Sequence, residues 1–183
     1  MKATGIVRRI DDLGRIVLPK EIRRTLRIRE GDPLEIYTDS EGGVVLRKFS
    51  QVGELSRVAG ELIESMYSTL DERVLVTDTD KVVAVAGGSK REFLGKEISP
   101  ALAELIRGRK LRTFTGDAPL DVLSAENGEK GKYTAQVAVP IVSQGDPVGA
   151  VMVYSKEAGK EFPPAVELAA RMGAGFLAKQ LEG

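Results

Sequence analysis

Hydrophobic positions follow one rhythm in the first fifty residues and another after them. Short β-rich runs at Gly5 to Ile10 and Arg15 to Leu18 are separated by the turn-forming stretch Asp11-Asp12-Leu13-Gly14; a second pair, Leu34 to Tyr37 and Val44 to Phe49, is separated by Ser-Glu-Gly-Gly. This predicts two hairpins around a short helix. Pro19 suits a first helical turn, Lys20 to Leu26 form its body, and Gly31 to Pro33 mark a break ahead of the second pair. So small a piece, with a helix of only about eight residues, can hardly bury all its Ile, Val and Leu alone, and interleaved strands from two copies are expected.

From Val52 the spacing becomes helical. Leu55, Val58, Ala59, Leu62, Met66 and Leu70 fall on one face of a connecting helix over about 53–70. RVLVTDTDKVVAVAG then predicts two strands around a turn at Asp78 to Asp80, and SPALAELIRGRK an amphipathic helix, followed by irregular sequence. LSAENGEKGK reads as an exposed loop. YTAQVAVPIVSQGDPVGAVMVYSK gives two longer strands joined by QGDP, and Pro163-Pro164 open a last helix, Ala165 to Leu181. This order is α+β, an antiparallel sheet covered by helices. Two domains are expected, 1–51 and 52–183. The small residues of the last helix (Ala169, Ala170, Gly173, Ala174, Ala178) allow close helix contact, either with the connecting helix of another subunit in a bundle or in covering the chain's own sheet.

Charge changes this picture at the front of the chain only. Acidic and basic residues balance at 27 each, yet residues 1–29 hold nine basic residues against Asp11, Asp12 and Glu21. Residues 30–50 reverse the balance, with five acids against Arg47 and Lys48. This asymmetry implies an anionic partner for the N-terminal part. On a helix, Lys20, Arg23, Arg24 and Arg27 would fall at i, i+3, i+4 and i+7 and line one face, and such like charges repel by a few tenths of a kcal/mol per pair unless an anion intervenes. Centring the first turn on Asp11 and Asp12 would likewise oppose Arg8 and Arg15 across the strands. Solubilising charge on two exposed surfaces is the plainer alternative.

The chain has no Cys and no His, which removes disulfides, Cys- or His-based zinc sites, thiol nucleophiles and imidazole catalysis. Nothing else suggests an enzyme: the carboxylate pairs Asp78/Asp80 and Glu126/Glu129 sit in turn-like sequence. No cofactor or metal is expected. No apolar run reaches the about 18 residues of a membrane helix, and no secretory leader follows the N-terminal charges, so a cytoplasmic location is expected.

TGIVRRIDDLGRIVLPKEIRRTLRI, residues 4–28, resembles the swapped-hairpin DNA-binding domain of the AbrB family of bacterial transition-state regulators, with its D-x-L-G-R-[IV]-V-[IL]-P core and E-[IL]-R-R-T-L helix, and REGDPLEIY continues the match. The whole chain, with GAGFLAKQ near its end, is similar to sporulation regulators that join an AbrB-like domain to a GAF domain. The resemblance implies a β-barrel dimer of interleaved hairpins that presents a basic surface to double-stranded DNA, a tetramer formed through GAF domains, and DNA contacts by Arg8, Arg15, Arg23 and Arg24. Charge and spacing add Lys2, Arg9, Lys20 and Arg27. AbrB-like folds also occur in antitoxins, so a protein partner for the basic surface is the alternative, set against more than a hundred further residues of patterned sequence.

In the second domain a small-molecule ligand is open. VAGGSKREF could present Gly87, Gly88 and Ser89 backbone N–H groups, with Lys90, to an anion beside Phe93, although two glycines after a strand are more often a turn. The bilin-binding GAF type requires a Cys, and the cyclic-nucleotide signature is missing.

Overall fold

A computed structural model describes residues 5–115, 119–126 and 133–182. The chain divides into two compact units, Met1–Phe49 and Ser50–Gly183. Unit 1 contains α1 (Lys20–Thr25) and an antiparallel hairpin of β1 (Leu34–Thr38) and β2 (Val44–Lys48). The hairpin turn is held by the Asp39 carboxylate, which accepts the N–H groups of Glu41 and Gly43 at 3.1 and 2.7 Å.

The first hairpin departs from expectation. Gly5 to Ile10 and Arg15 to Leu18 form no strands; only the tip is closed, by Asp11 N–H donating to the Arg15 carbonyl and Gly14 N–H to the Asp11 carbonyl, both at 3.0 Å. Among the described residues the arms are largely uncovered: Val7, Ile10 and Val17 are 85%, 65% and 75% exposed. A strand with neither ladder partner nor covered face has little to hold it. Pro19 and Ile28 are the buried side chains of unit 1 among the described residues.

Unit 2 begins with α2 (Gln51–Glu54) and α3 (Ser56–Leu70), so the expected connecting helix is broken at Leu55. Then come β3 (Arg73–Thr77), β4 (Val82–Ala86), α4 (Lys90–Phe93), α5 (Pro100–Arg107), β5 (Arg112–Thr115), β6 (Ala135–Ser143), β7 (Asp146–Ser155) and α6 (Pro164–Gln180). The five strands lie antiparallel in the order β4-β3-β7-β6-β5. Strand β5 was not legible in the sequence, because its four residues hold one apolar side chain, Phe114, too few to show alternation.

Period-two alternation divides the interior into two layers. Val74, Val76, Val137, Val139, Val151 and Val153 meet α3 and α6 on one face. Leu75, Ala138, Ala150, Met152 and Tyr154 point to the other, beneath Phe93 of α4 and Leu102 and Ile106 of α5. Of the two uses foreseen for the small residues of α6, cover for the chain's own sheet is realised: at Gly173 the missing Cβ leaves room for the Met66 sulfur of α3, which would otherwise lie 3.0 Å away.

The loop expected from Leu123 onward is not wholly exposed. Leu123 and Ser124 are buried, while residues 127–132 lie outside the described residues. The buried Gln136 side chain on β6 acts as a substitute strand: its amide donates to the Leu120 carbonyl and its oxygen accepts the Leu120 N–H, each at 2.8 Å. Ser99 N–H to the Val122 carbonyl at 2.9 Å and the Ile98–Leu123 bridge tie the same segment from the other side. No helix among the described residues is long and apolar enough to cross a membrane.

Candidate nucleic-acid interface

Unit 1 exposes Arg8, Arg9, Arg15, Lys20, Arg23, Arg24 and Arg27; Lys2 lies outside the described residues. At the hairpin tip, the Asp11 carboxylate accepts the N–H groups of Leu13 and Arg15 at 3.0 and 2.7 Å, and Arg15 Nε at 2.8 Å. These bonds, led by that from the Arg15 backbone, hold the Asp11 carboxyl below its ordinary value of 3.8. The turn is thus closed by Asp11 and Arg15, so Arg15 sits opposite Asp11 rather than Arg8, contrary to expectation.

Helix α1 is six residues long, with Pro19 at its N-cap and Arg23 N–H bonded to the Pro19 carbonyl at 3.0 Å. It places Lys20, Arg23 and Arg24 at i, i+3 and i+4, on neighbouring positions of one side. Among the described residues these three have no acidic partner. Arg27 is not on that side. The helix stops at Thr25 and is sealed by Ile28 N–H to the Arg23 carbonyl at 2.8 Å and Arg27 N–H to the Arg24 carbonyl at 3.3 Å, with Arg27 left-handed at φ 53°. This is a Schellman cap, in which the position held by Arg27 usually belongs to glycine. Helical spacing extrapolated one turn too far.

The five residues considered for a ligand in unit 2 do not converge. Gly87 (φ 66°) lies against the Tyr67 ring and Gly88 against the Tyr154 hydroxyl, and a Cβ at either would collide with that side chain. Ser89 caps α4, accepting the Glu92 N–H at 3.2 Å. Phe93 is buried, with its ring 5.5 Å from that of Tyr154. Lys90 lines a groove of about 580 Å³ with Arg57, Glu61, Glu64 and Val85. Burial pushes the Tyr154 phenol up to about 12, so it stays protonated at neutral pH.

One apolar surface of unit 2 remains uncovered. Leu168, Met172 and Phe176 of α6 are 60%, 68% and 44% exposed. The last two border a groove of about 320 Å³ floored by Leu62, Met66 and Gly173.

Comparison with known proteins covers both units. The family described as stage V sporulation protein T C-terminal, transcription factor, matches residues 54–182. Residues 7–52 match the family described as antidote-toxin recognition MazE, bacterial antitoxin. Stage V sporulation protein T of Bacillus subtilis is 47% identical over 184 residues, covering 100% of this chain and 99% of that protein. The transition state regulatory protein AbrB of the same organism is 59% identical over 49 residues, 27% of this chain and 50% of that protein. Among solved structures, the GAF domain region of a putative membrane protein from Geobacter sulfurreducens superposes with a TM-score of 0.53 at 18% identity, over 72% of this chain and 95% of that one, which establishes a GAF fold for unit 2. Similar from end to end to a sporulation transcription factor, the chain belongs to the stage V sporulation protein T family.

Proposed function

We propose that this protein regulates transcription of sporulation genes by binding duplex DNA through unit 1, as a dimer of interleaved hairpins. The observation that carries this reading is the double exposure of unit 1: its unpaired cations lie on α1, while the apolar arms of its first hairpin lack any cover that the described residues supply. A second copy supplies that cover, and a polyanion relieves the cations. Arg8, Arg15, Arg23 and Arg24 contact the DNA, with Lys20 extending the α1 side and Arg9 and Lys2 adding charge. Contacts to phosphates supply affinity and salt dependence, and one or two arginines on guanine edges supply a degenerate preference.

Unit 2 joins dimers into a tetramer through Leu168, Met172 and Phe176, and several grooves engaged at once add avidity without new contacts. A small-molecule signal acting through unit 2 has to bind the DNA-competent arrangement with a different affinity from its alternative.

The test is a salt titration of duplex binding by the full chain and by Arg23→Ala/Arg24→Ala, both first shown to be folded. The log affinity of the parent should fall by about 0.9 per phosphate neutralised for each unit of log salt, and the variant should bind more weakly with a shallower slope. Identical behaviour of the two proteins sinks the reading. The MazE-family match over residues 7–52 favours a second one, in which the basic surface meets a protein. A small protein that co-purifies and is released by the same two substitutions would support it.

A further inference from the structure

A second run of cations lies in unit 2. Arg107, Arg109, Lys110 and Arg112 fall within six consecutive residues, and all four are exposed. Arg107 is paired with Glu104 at 2.6 Å, and the Arg112 guanidinium stands 4.1 Å from the centre of the Phe114 ring. Among the described residues, Arg109 and Lys110 have no acidic partner.

The backbone brings this run to the surface in a defined way. Helix α5 ends in the same cap as α1: Lys110 N–H bonds the Leu105 carbonyl at 3.4 Å, Arg109 N–H bonds the Ile106 carbonyl at 3.0 Å, and Arg109 is left-handed at φ 52°. The chain then enters β5, the edge strand of the sheet, at Arg112. A cation in the last turn of a helix gains from the helix dipole, which accounts for Arg107. It does not account for Lys110 and Arg112, which lie beyond the helix. Nor does it account for an arginine at the left-handed position, where glycine carries no penalty.

We infer that Arg107 to Arg112 form a second phosphate-binding surface, which holds the backbone of duplex DNA outside the stretch occupied by α1. This inference rests on the DNA-binding reading of unit 1. Duplex DNA is the occupant that fits: it offers a phosphate about every 1.7 Å along its axis to fixed point charges. Leu111, 38% exposed, is the sole apolar side chain within the run, which leaves no wedge for a lipid surface. Contacts from these side chains to phosphates add affinity rather than sequence preference.

The experiment compares the full chain, Arg109→Gly/Lys110→Ala and Arg23→Ala/Arg24→Ala on a short duplex and on one several turns longer, across a salt series. On the longer duplex the unit 2 variant should lose about 2 from the salt slope and about tenfold in affinity near physiological salt, and on the short duplex nothing. If it matches the parent on both lengths while the unit 1 variant is weakened, the second surface is refuted and the DNA-binding reading stands. A parent that binds neither duplex removes both. Binding of the parent to anionic vesicles through these residues, without any length effect on DNA, also overturns the inference. Arg109→Gly alone guards against misfolding: it removes a cation while relieving a left-handed backbone, so weaker binding to the longer duplex by this variant cannot come from lost stability.

Discussion

The two units meet the same requirement, to hide apolar side chains from water, in opposite ways. Unit 2 buries two continuous layers about its sheet, and Val74, Leu75, Val76, Val151 and Val153 are all fully enclosed. Unit 1 leaves Val7, Ile10, Leu13, Ile16 and Val17 in the open. The difference lies in size and topology: a five-stranded sheet with helices on both faces closes on itself, whereas one hairpin and a six-residue helix cannot. Unit 2 has its own core, and unit 1 holds half of one.

The comparison breaks most sharply on isolated pieces. Residues 50–183 alone should stay folded on dilution and unfold cooperatively as a monomer, while residues 1–50 alone should lose their fold on dilution and melt at a temperature that rises with concentration. A folded monomer of residues 1–50, seen by sedimentation, would remove the central contrast. Next in size is Gln136→Ala, which leaves both Leu120 backbone groups unsatisfied in a buried site; the loss should be about 1–3 kcal/mol by chemical denaturation, confined to unit 2.

Arg27→Gly should act in the other direction. It removes a left-handed arginine and should stabilise unit 1 by about 1 kcal/mol, read as a higher melting temperature of the full chain. The smallest effect concerns pH. The Asp11 carboxyl is held below its ordinary 3.8, so its contribution to the hairpin tip is complete above that value and disappears as pH falls through the lowered one. Protection of the Leu13 and Arg15 amides, measured against their intrinsic exchange rates, should therefore fall on acidification below about 3.8, and Asp11→Asn should abolish that dependence.

Legibility followed the range of the interaction that decides each feature. Strands β3, β4, β6 and β7 and helices α5 and α6 were readable because their apolar periods record which face is buried. The α1 helix was readable from Pro19 and its neighbours, but its end was not, because the cap depends on Arg27 adopting a left-handed backbone that spacing cannot reveal. The run Arg107 to Arg112 holds four cations in six residues, but the regional charge balance masks it. The Gly87-Gly88 pair misled in a different way. It suggested an anion cradle, while the structure explains it by the approach of Tyr67 and Tyr154, residues distant in sequence.

The sequence by itself determined the α+β class, the concentration of positive charge at the front and the absence of Cys and His chemistry, because these depend on composition and short-range periodicity. Tertiary structure alone decided that Gln136 anchors the segment at Leu120, that β5 closes one edge of the sheet, that Arg27 leaves the α1 side and that the first hairpin's arms stay uncovered. Each of these depends on which distant groups arrive to satisfy a backbone bond or cover an apolar side chain, and local sequence carries no record of them.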